Sequence, residues 1–211
     1  MVDLNQLKQA IIEGDAGAAR ELTGQALAEN VEPLEIVQQH LVPAMDEVGR
    51  LFEEEEYFIP EMLLSARAMK ESMGLIRPLL AKRGSKPVAT AVIGTVKGDL
   101  HDIGKNLVAS MLEGGGFEVI DLGVDVTPDQ FVEAVRRHEA TLVCLSTLLT
   151  TTMPSIQKTL DVLKSSGVRE QVRVIIGGAP ISQHYADQVG ADGYGENART
   201  AVLKARELVG A

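Results

Sequence analysis

Residues 88–107 read VATAVIGTVKGDLHDIGKNL and combine an apolar strand, a glycine-containing loop and the start of a helix. A strand is predicted over residues 88–93, where apolar and β-branched residues run without interruption. A helix is predicted over residues 103–112, and it stops at three consecutive glycines. A continuously apolar strand that leads into a helix is typical of a parallel sheet covered on both faces.

The same strand-then-helix pattern recurs through the C-terminal part of the chain. Further strands are predicted at residues 117–122, 141–145, 172–176 and 193–194, and helices at 128–138, 153–163, 182–189 and from Ala198 onward. Five such units predict an α/β fold: a flavodoxin-like (Rossmann-type), five-stranded, parallel, doubly wound sheet. A ligand of such a sheet lies at the switch in strand order, here against the loops at 94–101 and 146–152.

The N-terminal part has helical periodicity instead and predicts a four-helix bundle. Its segments begin near Leu4, Ala16, Pro33 and Pro60. Two internal prolines, Pro43 and Pro78, are each expected to kink or end their helix, and the methionines are assigned to the bundle core (Met62, Met69, Met73). The predicted domains are a bundle at 1–83, a polar linker at 84–88 with a hinge at Gly84-Ser85, and an α/β domain at 89–211.

Composition narrows the class of protein. The chain has 211 residues, 45% of them hydrophobic, and a net charge of −10, which disfavours nucleic-acid binding. Its single cysteine argues against a disulfide framework or a cysteine-rich zinc site. No apolar run approaches the roughly 18 residues of a membrane span, and the N-terminal residues do not resemble a signal peptide. We therefore expect a soluble, cytoplasmic protein.

The loop after the first strand carries unusual chemistry. It does not match a phosphate-binding P-loop, because Asp99 and Asn106 stand where that motif needs glycine and a hydroxyl. Asp99 and His101 are close enough to interact, and a metal-bound histidine usually donates its other ring N–H to such an acceptor. A histidine beside aspartates is more often simply solvated, but the switch-point position favours a ligand.

Companion ligands for a protein-bound zinc or iron are missing from the switch-point loops. The other histidines, His40, His138 and His184, lie outside them, and Cys144 lies within a predicted strand. One histidine without companions suits a metal whose other coordination positions are filled by a macrocycle.

Three motifs carry a resemblance to a known family. Asp99-x-His101-x-x-Gly104, then Ser146-x-Leu148, then Gly177-Gly178 resembles the cobalamin-binding signature of corrinoid proteins in methyltransferase systems. Residues 48–52 and 58–62 resemble the helical cap that precedes this domain in methionine synthase and in stand-alone corrinoid proteins. The resemblance covers nearly the whole chain.

The resemblance implies a cofactor and a role for each matching residue. It implies cobalamin (methylcobalamin or a related corrinoid) bound base-off, with His101 as the lower cobalt ligand. Asp99 would accept from the His101 ring and from the hydroxyl of Thr152, where methionine synthase has serine. Phe52 and Ile59 would cover the upper corrin face, although without the resemblance a place in the bundle core would be the preferred explanation. The other implied cofactor-binding residues are Gly98, Leu100, Asp102, Ile103, Gly104, Ser146, Leu148, Thr150, Gly177, Gly178, Tyr194, Gly195 and Ala198.

The resemblance also narrows the kind of corrinoid protein. Mutases usually have arginine where this chain has Ile103, regulators add a DNA-binding module, and methionine synthase is much longer. The remaining type is a corrinoid subunit that is non-catalytic alone. It would accept a methyl group from a substrate-specific methyltransferase and pass it to a second one that serves tetrahydrofolate or coenzyme M. A reductive activase is a further implied partner, and the implied donors are methylamines, methanol, glycine betaine or aryl methyl ethers.

Two alternatives stay open on the sequence. One is a corrinoid storage, delivery or sensing protein without methyl transfer. The other is a flavodoxin-like FMN or signalling domain in which His101 is incidental. A bound red pigment would exclude the flavin alternative, and methyl transfer would exclude storage.

Overall fold

A computed structural model of the chain describes residues 2–82 and 87–210. The chain divides into two compact units, Met1–Pro87 with Glu113–Gly116, and Val88–Leu112 with Phe117–Ala211. Most of the predicted linker, including the hinge at Gly84-Ser85, lies outside the described residues. Within the described ranges, no helix has both the length and the apolarity needed to cross a membrane.

The N-terminal unit is helical, as predicted. Its elements are α1 (Leu4–Ile12), α2 (Ala16–Ala28), α3 (Pro33–Glu35), a π-helical segment (Ile36–Leu41), α4 (Val42–Glu53) and α5 (Ile59–Lys82). The carboxylates of Asp3 and Asp15 cap α1 and α2 by accepting backbone N–H groups. The three methionines assigned to the core are buried, together with apolar residues that include Leu7, Ile11, Ile36, Leu41, Met45 and Ile76.

Each internal proline was predicted to kink or end its helix, and neither one ends it. Pro78 lies inside α5. Pro43 lies in the first turn of α4, directly after the π-helical segment, where the N–H of Val42 donates to the carbonyl of Val37. A proline ring normally clashes with the carbonyl four residues earlier, and the wider π turn relieves that clash. The third predicted helix is therefore three consecutive helical pieces.

The second unit is a layered α/β fold. In chain order its elements are β1 (Thr90–Thr95), α6 (Ile103–Gly114), β2 (Glu118–Asp121), α7 (Pro128–His138), β3 (Leu142–Ser146), α8 (Pro154–Ser165), a 3₁₀ turn (Arg169–Gln171), β4 (Arg173–Gly177), α9 (Gln183–Val189), β5 (Gly193–Gly195) and α10 (Ala198–Val209). The predicted elements are all present, with ends shifted by one or two residues. The fold class is confirmed.

The five strands are parallel and ordered β2-β1-β3-β4-β5. This is the flavodoxin-like order, with its switch between β1 and β3. The inner strands are mostly apolar, as expected where helices cover both faces of a sheet, whereas the edge strand β2 has charged residues at both ends. One core cluster packs Val92, Val143, Val174 and Ile176 with Phe131 of α7. The sheet thus brings the carboxyl ends of β1 and β3 together.

Candidate functional site

The loops after β1 and β3 begin from adjacent backbone positions. Thr95 pairs with Ser146 in the sheet register, and the N–H of Val96 donates to the carbonyl of Ser146 at 3.0 Å. The β1 loop (residues 96–102) and the β3 loop (residues 147–153) therefore share one edge of the sheet. This is the edge at which the sequence predicted a ligand site.

The Asp99 carboxylate joins the two loops. Its Oδ1 accepts from the backbone N–H of His101 at 3.0 Å and contacts Nδ1 of the His101 ring at 2.7 Å. Its Oδ2 contacts the β3 loop, where it accepts from the backbone N–H of Leu148 at 2.7 Å and of Leu149 at 3.3 Å. The side chain of Asp99 is completely buried, so one buried carboxylate ties the loops together.

Two hydroxyl groups complete the surroundings of Asp99. Oγ1 of Thr152 lies 2.9 Å from Oδ2 of Asp99, as the sequence predicted. Oγ1 of Thr147, which the sequence analysis did not single out, lies 3.0 Å from the same oxygen. The two hydroxyl oxygens are 2.6 Å apart, so they and Oδ2 form a buried triangle of oxygens.

Asp99 is held in its ionised form. Burial by itself raises the pKa of this carboxyl group, but the backbone N–H groups of Leu148 and His101, the His101 ring and the Thr152 hydroxyl outweigh that effect. The net result is a pKa well below the ordinary value of aspartate. The buried carboxylate is therefore an acceptor for every donor around it.

This charge fixes the tautomer of His101. An ionised carboxylate has no proton to give, so Nδ1 of His101 donates to Asp99, and in the neutral imidazole the lone pair is then on Nε2. The His101 side chain is 50% exposed, and its backbone carbonyl is fixed by the Thr95 hydroxyl at 2.8 Å. The arrangement presents one oriented imidazole nitrogen to an external ligand, as in metal-binding histidines.

Exposed apolar side chains lie near His101 on both loops. Leu100 and Ile103, on the same loop and at the start of α6, are 71% and 68% exposed. Leu148 and Leu149, in the partner loop, are 42% and 41% exposed. Within residues 2–82 and 87–210, no group of three His, Cys, Asp or Glu side chains could hold a metal ion. A lone imidazole among exposed leucine and isoleucine side chains fits a metal delivered inside a largely apolar ring.

Two of the predicted glycines meet different requirements. Gly178 has φ +127°, and a Cβ built there would lie 1.7 Å from the carbonyl oxygen of Thr147. Only glycine allows the chain after β4 to pass so close to the β3 loop. A Cβ built on Gly104, by contrast, meets no atom within 4 Å, so the space in front of the first turn of α6 is open.

The remaining predicted residues of the α/β unit are distributed around the same sheet edge. Gly177 pairs with Gly195 at the ends of β4 and β5. Tyr194 is half-buried in β5, and Ala198 is buried as the first residue of α10. The loop residues Gly98, Asp102 and Thr150 are exposed, and Ser146 is half-buried.

The two predicted cap residues belong to the helical unit. Phe52 is half-buried near the end of α4, and Ile59 is exposed at the start of α5. Phe58, just before Ile59, is also exposed. An exposed Ile59 is not an ordinary core residue, and its role as a cover for a ligand stays a prediction.

Asp125 is a second residue that sequence reasoning missed. It follows β2 with φ +55°, which is uncommon outside glycine. Its carboxylate accepts from Nζ of Lys97 and from the N–H of Gly98, each at 2.8 Å. Its own N–H donates to the carbonyl of Asp99 at 2.9 Å. The end of β2, which lies beside β1 in a flavodoxin-like sheet, was the available signal for this contact.

Lys105 anchors the start of α6 from the other side. Its side chain is buried, and Nζ contacts Oδ2 of Asp121 at 2.5 Å and Oδ1 of Asn106 at 2.6 Å. Asp121 is the last residue of β2. The ion pair fixes the helix that follows the His101 loop to the neighbouring strand.

A flavodoxin-like sheet with an oriented imidazole at its switch point is an arrangement suited to a protein that binds a ligand there. The family described as "B12 binding domain" matches residues 89–203, and a second family with the same description matches residues 3–77. The chain belongs to the B12-binding corrinoid proteins. The family that the sequence motifs predicted is thus confirmed, and so is a corrinoid as its cofactor class.

Similar proteins cover the chain almost from end to end. The trimethylamine corrinoid protein of Methanosarcina barkeri is 43% identical over 201 residues, 94% of this chain and 93% of that protein. The crystal structure of a cobalamin-binding protein from Desulfitobacterium hafniense matches with a TM-score of 0.82 and 36% identity over 99% of both chains. The methanol:cobalamin methyltransferase complex MtaBC of Methanosarcina barkeri matches with a TM-score of 0.85 and 30% identity, over 97% of this chain and 78% of that one.

Proposed function

We propose that this chain is the methyl-carrying corrinoid subunit of a methyltransferase system. It accepts a methyl group from a substrate-specific methyltransferase and passes it to a second methyltransferase, which serves tetrahydrofolate or coenzyme M. The observation that carries the proposal is the half-exposed side chain of His101, oriented through Nδ1 by buried Asp99 and flanked by exposed apolar side chains. A trimethylamine corrinoid relative and a methyltransferase complex among the similar structures support the methyl-carrier role.

In this proposal the corrinoid binds base-off, and Nε2 of His101 is its lower cobalt ligand. The bound cobalt supplies the atom that carries the methyl group. The residues of this chain have the other tasks: Asp99 holds the imidazole through Nδ1, and the hydroxyl of Thr152 supports Asp99. Chemistry on the transferred group is left to the partner enzymes, with a reductive activase to restore inactive cobalt.

The remaining residues are assigned to two surfaces of the cofactor. A slot for the nucleotide tail is assigned to the open space at Gly104 and to the loops after β1, β3, β4 and β5. The residues that line this slot are Gly98, Ser146, Leu148, Thr150, Gly177 and Gly178. The residues that close it are Tyr194, Gly195 and Ala198. The helical unit, residues 1–83, supplies Phe52 and Ile59 to the upper face, and residues 84–88 link it to the cofactor domain at 89–211. Two separate B12-binding matches, before and after residue 84, support this division.

The ligand assignment predicts a specific defect in His101→Ala. Apoprotein mixed with hydroxocobalamin and desalted should retain the corrinoid, and His101→Ala should bind it about 10–100-fold more weakly. The matched control is His184→Ala, since His184 is exposed on α9. In the Co(II) state, histidine labelled with the heavy nitrogen isotope should convert the hyperfine triplet of the parent into a doublet. Equal retention and an unchanged spectrum in His101→Ala would refute the assignment.

Methyl transfer predicts a second result. The reduced holoprotein should form methyl-corrinoid, visible as a change in its absorption spectrum, when a methylamine- or methanol-specific methyltransferase and its substrate are added. Addition of a coenzyme M or tetrahydrofolate methyltransferase with its acceptor should reverse the change. Tight corrinoid binding without methylation by any tested enzyme would contradict the carrier role and favour storage or sensing.

A further inference from the structure

The triangle of Thr147, Thr152 and Asp99 contains more hydrogen-bond acceptors than protons. Each threonine hydroxyl has one proton to donate. Oγ1 of Thr152 also lies 2.9 Å from the carbonyl of Leu149. The contacts therefore outnumber the two hydroxyl protons, and the structure has to use them selectively.

The distance between the two hydroxyls limits the arrangements. At 2.6 Å, the oxygens of Thr147 and Thr152 need a proton between them, because two bare oxygens would repel at that separation. If Thr152 donates to Thr147, then Thr147 donates to Asp99. If Thr147 donates to Thr152, then Thr152 donates to Asp99 or to Leu149. Asp99 thus receives at most one hydroxyl proton at a time, and either threonine can provide it.

Thr147 is held in place for this role by its backbone. The N–H of Thr147 donates to the carbonyl of Gly177 at 3.2 Å. Gly178 packs directly against the carbonyl oxygen of Thr147. The residue is buried, so its hydroxyl cannot turn to water. Within the described residues, its hydroxyl contacts are Asp99 and Thr152.

We propose that Thr147 is a positioning residue of the His101 ligand, interchangeable with Thr152 as the hydroxyl donor to Oδ2 of Asp99. The proposal rests on the proposed role of His101 as the cobalt ligand. A hydroxyl on Oδ2 fixes the rotation of the Asp99 carboxylate, whose Oδ1 fixes the imidazole through Nδ1 at 2.7 Å. Because either threonine can donate to Oδ2, the carboxylate keeps its orientation in both arrangements of the two hydroxyl protons.

A double-mutant cycle tests the interchangeability. Thr147→Val and Thr152→Val remove one hydroxyl each at nearly constant volume, and Thr147→Ser is the control that keeps the hydroxyl. We expect each single variant to bind hydroxocobalamin within about 3-fold of the parent, and the double variant to bind more than about 10-fold more weakly than the product of the single effects predicts. We also expect the histidine hyperfine coupling in Co(II) to persist in the single variants and to broaden or disappear in the double variant.

Each other outcome has a definite meaning. Additive single effects, or a double variant whose coupling matches the parent's, would overturn the proposal. If the double variant does not fold, the single variants decide, because loss of the coupling in Thr152→Val alone would show that Thr147 cannot replace it. If the parent itself shows no histidine coupling, the proposed function has failed and this inference fails with it. A parent with coupling and an additive cycle defeats this inference alone.

Discussion

Asp99→Asn is expected to lower the free energy of unfolding of the apoprotein by about 3–5 kcal/mol at neutral pH. Both carboxylate oxygens of Asp99 accept hydrogen bonds, from His101 on one side and, on the other, from Leu148 and from one of the two hydroxyls of Thr147 and Thr152. An asparagine amide has only one acceptor oxygen, so its NH₂ group must face donors in either orientation. The variant leaves buried donors unsatisfied and removes the orienting partner of His101.

The same substitution should change the pH dependence of stability. The folded pKa of Asp99 lies below its unfolded value, so the carboxylate stabilises the fold above the unfolded pKa and that contribution is lost as pH falls. Asparagine does not titrate. The difference in stability between parent and Asp99→Asn should therefore shrink as the pH falls from about 5 to about 2.

Urea unfolding of both apoproteins across that pH range measures the effect. Asp161→Asn is the matched control, because Asp161 is exposed on α8 and accepts only from Gln157 among the contacts described. It should cost less than about 0.5 kcal/mol. A constant gap between parent and Asp99→Asn at every pH would contradict an ionised, hydrogen-bonded Asp99.

Gly178→Ala should be the most disruptive of the glycine substitutions, with a loss of about 3–5 kcal/mol. Its φ of +127° strains any L residue, and the new Cβ would lie 1.7 Å from the carbonyl oxygen of Thr147. That atom is main chain, so relief requires the β3 loop to move. The movement would displace the Thr147 hydroxyl from Asp99, and corrinoid affinity should fall together with stability.

Gly104→Ala is the contrasting control, because it should raise the free energy of unfolding of the apoprotein where Gly178→Ala lowers it. Gly104 lies in the first turn of α6, and a Cβ there meets no atom within 4 Å. Alanine should stabilise the helix by up to about 1 kcal/mol. If the open space holds the cofactor, Gly104→Ala should nevertheless bind hydroxocobalamin more weakly. Thermal unfolding of both apo variants decides the comparison, and a Gly178→Ala variant as stable as the parent would show that the close backbone approach is not required.

The sheet could be predicted because its signals are local. Continuous apolar runs bounded by glycine place the strands, and five repeated units leave few topologies for a parallel sheet. Whether a proline kinks its helix or ends it is harder to predict, because the outcome depends on the geometry of the preceding turn. Pro43 follows a π-helical segment, and no pattern in residues 36–41 distinguishes that segment from an ordinary α-helix.

The site was predictable to the extent that topology and motif coincide. Asp99, His101 and Thr152 lie together as expected, because the motif and the switch point select the same two loops. Thr147 was not predicted because its contact with Asp99 depends on the rotamer of its side chain, which the spacing of residues does not reveal. Asp125 needs a left-handed backbone conformation that aspartate seldom adopts. Whether the cap residues Phe52 and Ile59 serve the cofactor stays a prediction.

The ties from Asp125 and Asp99 have a consequence for protein engineering. The His101 segment is attached to β2 through Asp125 and to β3 through Asp99, in addition to its own strand. Grafting residues 96–104 alone onto another flavodoxin-like scaffold should therefore yield a histidine in an unsuitable orientation. The smallest transplantable module is the edge formed by the four adjacent strands β2, β1, β3 and β4 with their loops. A designer would have to transfer this edge as a single piece, including the glycine after β4 that lets the Thr147 backbone fit.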